Sequence, residues 1–479
     1  MLTRLRTVAS PIALLVLLLL SLLLATGPRA EAQAPNEILV RGGWLFDGTG
    51  DTVIPNPGIW IRGGKFLQIG GELPVSPTEV IELGEDDYIL PGFFDLHAHY
   101  ALDLFGRGRV DEMRAYPAIF LANGVTSTFS AGEVNPDEMR ELRLRIDRGE
   151  QAGPRLFNSG PYFGTARYGW DAKKTAEEVR REVDEWAAKG ARGFKAKGIA
   201  PGQLRALIDQ AHRHGLTVTG HLGSGFRDSV NPRDAILMGI DRIEHFLGGD
   251  AITDDKPAYS SLVDVKADSP ETESIVRMYL RHGVFFDATM GPYACVGRAD
   301  DEVCEFFVDE TKYLTPYMRE VLSERTPEQI QEFAQIYRVK QETLRAFYDA
   351  GGSELITLGT DRPSRGHYLS GFYAHREMHA LTRAGIPTAA VLRIATANGA
   401  RALGVGSYLG TVEPGKLADL VVVRGNPLED IRNTRNVRLV IKAGTPHDPA
   451  ELLASVAGTI GPPARETSRA GSGGSQPPG

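Results

Sequence analysis

Cysteine is scarce in this chain, which has only Cys295 and Cys304 among its 479 residues. No cysteine lies near the end of the apolar N-terminal run, where a signal peptide would be cleaved, and this absence argues against a lipoprotein. The two cysteines lie nine positions apart in one predicted loop, so they can pair in a compartment where disulfides persist. Two free thiols are the alternative that the sequence leaves open.

An excess of positive charge is also absent. Lys and Arg number 53 against 61 Asp and Glu, which gives a formal net charge of −8. Removing residues 1–32 takes away three basic residues and one acidic residue, so 50 basic and 60 acidic residues remain and the net charge becomes −10. An acidic surface argues against nucleic acid or an anionic membrane as a partner.

The N-terminus has the order of residues found in an export signal. Two arginines precede an uncharged, largely apolar run over residues 7–27, and small residues follow. This order predicts a secretory signal peptide over residues 1–32, with cleavage after Ala32 or Ala34 and export to the periplasm or the medium. The run is also long enough to span a membrane, so an uncleaved anchor is the alternative.

Two β-rich flanks enclose a long central region. Residues 36–87 and 406–446 alternate short apolar runs with Gly and Pro turns, which is typical of β-strands. Neither flank is long enough to enclose a core alone. The tail, residues 462–479, is rich in Gly, Ser and Pro and is predicted to be disordered.

The central region, residues 88–405, contains eight short apolar runs, mostly separated by helical patterns. Strands that alternate with helices imply parallel βα units. Eight such units predict an α/β fold, a (β/α)8 TIM barrel, whose chemistry lies at the C-terminal ends of the strands. The predicted strands are Tyr88–His99, Val125–Ser130, Arg155–Ser159, Gly193–Ala196, Thr217–His221, Arg242–Phe246, Val284–Thr289 and Leu355–Asp361.

Candidate metal ligands lie at the ends of these strands. His97 and His99 end the first strand two residues apart, so their side chains point to the same face. Two imidazoles on one face make half of a site for zinc or a similar metal. Further candidates at later strand ends are Lys195, His221, His245 and Asp361.

The stretch Pro91-Gly92-Phe93-Phe94-Asp95-Leu96-His97-Ala98-His99 resembles the first-strand signature of the amidohydrolase superfamily of metal-dependent hydrolases. Further matches are Thr219-Gly220-His221, Ile243-Glu244-His245, Leu358-Gly359-Thr360-Asp361 and the late stretch 409–420. The resemblance spans residues 36–444 and is closest to the branch of imidazolonepropionases and Xaa-Pro dipeptidases. It implies that the two flanks pair into one small β-sandwich beside the barrel.

The resemblance also implies two divalent metal ions, with zinc favoured. His97 and His99 would hold the more buried ion, and His221 and His245 the second. Lys195 would be carbamylated and bridge the two, because a bare ammonium has no lone pair for a metal. The sequence leaves Lys197 open as the bridging lysine, and a single-metal site open as well.

Asp361 would ligate the buried metal and act as the catalytic base. A metal lowers the pKa of its bound water toward about 7 and so generates hydroxide at neutral pH. The carboxylate would take the water proton and pass it to the leaving nitrogen. A helix cap is the alternative role for this aspartate.

Loops after the strands are expected to build the pocket for a small-molecule substrate. Arg and Tyr side chains in such loops can grip a substrate carboxylate. The candidates are Tyr100, Tyr162, Tyr168, Arg362, Arg365 and His367.

The resemblance therefore implies an exported amidohydrolase that cleaves a C–N bond in an amide, cyclic amide or dipeptide. The same site would serve an esterase, lactonase or phosphoesterase equally well. A non-catalytic exported binding protein is the alternative of another class, and assembly into a homo-oligomer is left open.

Overall fold

The computed structural model describes residues 37–71, 77–103, 109–305, 309–323, 331–362 and 369–463. The predicted signal peptide lies outside these ranges, as does the predicted tail apart from its first two residues. Within the described ranges, none of the helices combines the length and the apolar character that a membrane crossing needs.

The strands fall into two flanking groups and a central one. In chain order they are β1 Glu37–Leu45, β2 Ile54–Pro55, β3 Gly58–Arg62, β4 Lys65–Ile69, β5 Glu79–Pro91, β6 Phe93–Ala98, β7 Ala101–Asp103, β8 Arg109–Asp111, β9 Val125–Ser130, β10 Arg155–Asn158, β11 Tyr162–Phe163, β12 Gly193–Lys197, β13 Thr217–His221, β14 Arg242–Glu244, β15 Phe285–Asp287, β16 Ile356–Thr357, β17 Leu420–Arg424, β18 Val437–Lys442 and β19 Thr445–His447.

Most α-helices lie between the central strands. They are α1 Tyr116–Ala122, α2 Pro136–Asp147, α3 Ala176–Ala188, α4 Pro201–Arg213, α5 Pro232–Met238, α6 Ala258–Leu262, α7 Pro270–His282, α8 Met290–Val296, α9 Asp301–Cys304, α10 Pro316–Ser323, α11 Gln331–Asp349, α12 Tyr373–Arg383, α13 Thr388–Arg393, α14 Gly399–Ala402 and α15 Pro449–Ser455. Local sequence fixes their starts. For example, Thr175 and Glu178 form a reciprocal capping box that satisfies the first N–H groups of α3.

The two flanks form one sheet with the strand order β19-β18-β17-β5-β1-β3-β4, and β2 pairs with β1. Apolar residues two apart in each strand face inward, because side chains alternate across a strand. An isolated bridge joins Lys65 to Leu417, so the β4 end of the sheet meets the C-terminal flank. The two flanks therefore pair with each other, as predicted, and they do so within one sheet. Its core consists of Ile38, Val40, Leu45, Ile59, Ile61, Phe66, Ile89, Val412, Ala418, Leu420, Val422 and Ile441.

The first predicted strand, Tyr88–His99, is two strands in the structure. The break is at Gly92, where a Cβ atom would lie 2.1 Å from Thr126 Oγ1. β5 continues to Pro91 as part of the flanking sheet, four residues past the predicted boundary at residue 87. The barrel begins at Phe93, because the chain must cross between the two layers where only glycine fits.

The central strands form the predicted parallel barrel. One run has the order β10-β9-β6, and the other runs from β11 through β12, β13, β14 and β15 to β16. The Leu96 N–H donates to Leu358 O at 2.9 Å, and the Asp361 N–H donates to His97 O at 2.9 Å. On the other side the Arg192 N–H donates to Asn158 O at 2.7 Å. These bonds join the two runs, so the barrel closes at both seams.

The segment between β15 and β16 contains a disulfide. Cys295 and Cys304 are bonded, with their Cα atoms 5.3 Å apart. The bond ties α8 to α9. Both sulfurs belong to buried residues in the main core, so the crosslink stiffens the segment from inside.

Candidate active site

The end of β6 and the residues after β16 meet at a cluster of three ligands. His97 Nε2 lies 3.4 Å and His99 Nε2 lies 3.2 Å from Asp361 Oδ1. One ligand atom from each of the three residues fits within 4.8 Å of the other two. His97 is 2% exposed, whereas Asp361 is 25% exposed. The cluster therefore has a buried side and a side open to a substrate.

A second cluster shares His97. Its members are His97, Glu244 and His245, with one ligand atom of each again within 4.8 Å of the others. The ring of His221, at the end of β13, lies 4.4 Å from the ring of His245 between centroids. The four histidines predicted as ligands therefore lie together at the C-terminal end of the barrel.

Two of the candidate ligands have a left-handed backbone. φ is 71° at His245 and 48° at Asp361, a conformation that costs about 1–3 kcal/mol for a residue other than glycine. At His245 this breaks the alternation of the strand, so Glu244 and His245 both reach the site. Strain of this kind persists only where the surroundings fix it, and it concentrates at functional sites.

Lys195 lies inside the site at 1% exposure. Its Nζ is 3.4 Å from His97 Nε2 and contacts the Glu244 carboxylate directly. Burial, reinforced by the charge of Lys197, lowers the pKa of Lys195 well below its usual value. Lys197 ends β12 and is only half-buried. The structure thus brings Lys195 to the histidine cluster.

Burial sets the protonation of the histidines. It is the largest cause that lowers the pKa of His97, His221 and His245 well below the ordinary value. Neutral imidazoles have a free lone pair for a metal. Burial would raise the pKa of Asp361, but His97, the hydrogen bond from His99, and His245 outweigh it and hold that pKa well below its usual range. These three histidines are therefore neutral, and Asp361 is ionised.

A second layer of polar residues surrounds these groups. Glu244 Oε2 and Asp287 Oδ2 each lie 3.6 Å from His97 Nδ1. Carboxylates on the far nitrogen of a metal-binding histidine orient its ring. Asp287 is fully buried, and burial raises its pKa to about 7. Asp95 accepts from the Thr360 hydroxyl at 2.7 Å and so braces the strand that leads to Asp361.

The predicted substrate contacts are dispersed. Tyr100 is buried, and its hydroxyl hydrogen-bonds to Thr128 Oγ1 at 2.7 Å. Tyr168 is 86% exposed, and Tyr162 packs against Gly132. Arg362 is fully buried and donates to the Tyr373 hydroxyl at 2.5 Å. Arg365 and His367 lie outside the described residues.

A cavity of about 340 Å³ opens beside His221 between the loops that follow β12 and β13. Its lining is largely apolar, and it includes the charged side chains of Arg227 and Asp228. The residues that shape it include Trp170, Ile199, His221, Leu222, Arg227 and Val230. None of these except His221 was singled out from the sequence, because loop residues carry no periodic pattern that reveals where they fold.

Sequence reasoning also missed Glu244, Asp287 and Lys340. Glu244 lies inside the motif Ile243-Glu244-His245. Strand alternation would point its side chain away from that of His245, and only the left-handed φ of His245 brings both side chains to the site. Asp287 ends the seventh strand, so its position at a strand end was the available signal. Lys340 lies within α11, where nothing in the pattern separates it from surface lysines.

A barrel with these buried histidines and carboxylates at the ends of its strands has the build of a barrel hydrolase. The chain belongs to the amidohydrolase family, whose model matches residues 88–446. This finding confirms the resemblance carried by the first-strand motif, and it makes the chain an enzyme of the hydrolase class. No curated protein matches the chain in sequence.

Solved structures share the fold. A Xaa-Pro dipeptidase with methionine bound in its active site has a TM-score of 0.65 at 22% identity, over 86% of this chain and 100% of that one. Molinate hydrolase has a TM-score of 0.65 at 21% identity, over 90% and 98% of the two chains. A. niger ochratoxinase has a TM-score of 0.63 at 18% identity, over 91% and 99%. At these identities the likeness shows a common fold.

Proposed function

We propose that this hydrolase cleaves a C–N bond of a small molecule, in an amide, a cyclic amide or a dipeptide. The observation that carries the proposal is the approach of one Asp361 oxygen to two imidazole nitrogens, at 3.4 Å for His97 and 3.2 Å for His99. Two imidazoles and a carboxylate that meet at an open strand end form a site at which water can be activated.

The donor set fits divalent metal ions, with zinc favoured. Imidazole nitrogen and carboxylate oxygen are ordinary zinc ligands. His97, His99 and Asp361 would hold one ion, and His221 with His245 would hold a second. Ions held there would polarise the scissile carbonyl and activate the attacking water.

We propose that Lys195 becomes a carbamate that bridges the two ions. Addition of CO₂ to Nζ forms an N–C bond and releases one proton, and it needs the neutral amine. The lowered pKa of Lys195 supports this step. The change places an anion beside Glu244, so two divalent ions would offset the added negative charge.

Asp361 would move the proton. It is ionised at neutral pH, which is the form that accepts a proton from water. It is also partly exposed, so it can reach the leaving nitrogen of a bound substrate and protonate it. The cavity beside His221 would receive one arm of that substrate, with apolar groups against Trp170 and Leu222.

Esters, lactones and phosphoesters are competing substrates, since the same groups would attack them. A non-catalytic binding role is disfavoured by membership of a hydrolase family. We also propose that the chain is exported, which the Cys295–Cys304 disulfide supports because such bonds persist outside the cytosol. Assembly into a homo-oligomer is a further proposal, to be tested by light scattering.

The test is a substrate panel on the purified chain loaded with zinc in bicarbonate. Dipeptides, N-acyl amino acids and cyclic amides are compared with esters, lactones and phosphoesters, before and after chelation. We expect two zinc ions per chain and metal-dependent hydrolysis in the amide group. Turnover confined to the ester or phosphoester group would contradict the proposed bond type, and a chain that takes up no metal would contradict the site.

A further inference from the structure

Lys340 is a buried lysine beside the second histidine cluster. It is 3% exposed and lies on α11. Its Nζ donates to the carbonyl oxygen of His245 and lies 4.5 Å from the centroid of the Tyr293 ring. In the described part of the chain, no ion pair joins this ammonium to a carboxylate.

Such a residue is costly to keep. A buried amine without an ionic partner loses its hydration and gains little in return, and burial lowers the pKa of Lys340 to about 7. A hydrogen bond and one aromatic face are partial compensation. A methionine would fill the same space without that cost, so the position calls for a role that only a donor can fill.

The role follows from the backbone of His245. Its left-handed φ of 71° is held at three points. The His245 N–H donates to Asp287 O at 2.8 Å, its ring Nδ1 pairs with Thr289 Oγ1 at 2.8 Å, and its carbonyl accepts from Lys340. Two of these partners come from the end of β15. The third, Lys340, comes from α11, so two separate elements hold His245.

The helix that carries Lys340 is itself fixed against the disulfide-linked segment. A Cβ atom on Gly297 would lie 2.6 Å from Ala334 N, so α11 approaches the end of α8 as closely as glycine allows. The Tyr337 hydroxyl donates to Asp300 Oδ2 at 3.2 Å. The rings of Tyr293 and Phe333 are 5.0 Å apart. Lys340 is therefore presented to His245 by a rigid support.

We propose that Lys340 is a positioning residue for the second metal of the site. Its ammonium fixes the carbonyl of His245, and this fixes the left-handed turn that aims the imidazole inward. The inference rests on the proposed function, because it takes His245 as a ligand. The segment between β15 and β16 contains Lys340 but no predicted metal ligand, and this proposal gives that segment a role in metal binding.

The test is metal retention by Lys340→Met, measured by elemental analysis after dialysis against a graded series of a zinc chelator. Methionine keeps the length and removes the donor. We expect the variant to keep one zinc ion like the wild type and to lose the other at a chelator concentration at least about tenfold lower. Lys442→Met is the matched control, because Lys442 Nζ also donates to a backbone carbonyl, that of Gly153 at 2.7 Å, away from the site. It should retain both ions.

The melting temperature of each metal-free protein separates positioning from general stability. If Lys340→Met keeps both ions as tightly as the wild type, or loses both in step with a lower melting temperature, the positioning role is wrong. If it does not fold, Lys340→Leu takes its place, since it also removes the donor, and it must likewise release one ion early. A wild-type chain without metal would overturn the proposed function too, whereas two ions in both proteins would overturn only this inference.

Discussion

The hydroxyl of Tyr373 lies between the disulfide and the residue next to the proposed catalytic base. It donates a hydrogen bond to Cys295 Sγ at 3.1 Å and accepts one from Arg362 at 2.5 Å. The Arg362 guanidinium also lies 3.9 Å from the centroid of the Tyr373 ring. A crosslink remote in sequence is thus two hydrogen bonds from the backbone that sets the position of Asp361.

We predict that Cys295 and Cys304 form a disulfide in the purified protein. Denatured, oxidised protein should show no reactive thiol by titration, and reduction should expose two. Closing a loop of about ten residues contributes about 2–3 kcal/mol on the chain-entropy account, so Cys295→Ala/Cys304→Ala should unfold at a lower denaturant concentration. Two reactive thiols before reduction would refute the bond.

Asp361→Asn should abolish turnover and preserve the fold. Asn keeps the size and one carbonyl oxygen, but it cannot accept a proton at neutral pH. We expect kcat to fall by at least about a hundredfold, with the melting temperature nearly unchanged, because Asp361 is partly exposed and its loss opens no cavity. A variant with normal kcat and full metal content would move the base elsewhere.

The two lysines of β12 should behave differently. Lys195→Ala should lose the bridging group, most bound metal and most activity, and short carboxylic acids should restore part of that activity by occupying the place of the carbamate. Lys197→Ala is the matched control on the same strand and should keep both metal and activity. The reverse result would shift the bridging role by two residues.

Glu133 should make stability fall with rising pH. Burial raises its pKa to about 8 from 4.5, against the hydrogen bonds that it accepts from Ser130 and Asn158. Because the folded chain keeps this proton to a higher pH than the unfolded chain, the free energy of unfolding decreases between about pH 4.5 and 8, by up to about 1.4 kcal/mol per pH unit.

Glu133→Gln should therefore unfold at a higher denaturant concentration than the wild type at pH 8, and by a smaller margin at pH 5. Glu138→Gln, on the exposed face of α2, is the control. A pH-independent difference between Glu133→Gln and the wild type would show that Glu133 is ionised throughout the range.

The repeating strand-helix units of the barrel could be predicted from the sequence. Strand β9 matches its prediction residue for residue, as does β13, because Val and Thr, which favour strands, make up much of both. The first strand was predicted as one piece because Tyr88-Ile89-Leu90 and Phe93-Phe94 are equally apolar. Only the close approach of Thr126 to Gly92 divides them, and that contact comes from tertiary structure.

The position of the candidate ligands was predictable where they stand at strand ends, as at His97 and His221. It was not predictable where the backbone departs from strand geometry. Glu244 was missed because the φ of His245 cannot be read from Ile243-Glu244-His245. Lys340 was missed because its partner is a carbonyl oxygen, a group that every residue has. Arg362 was expected to face the substrate, but packing buries it against Tyr373.

The pairing of Leu420 with Pro91 has a consequence for the order in which the chain folds. β5 lies between β1 and β17, so during synthesis one edge of β5 has no partner until the ribosome has passed residue 424. An open edge invites pairing with other chains, and contacts of such long range form slowly. The flanking sheet, which continues through Gly92 into the strand of His97, is therefore the last layer that a nascent chain can complete.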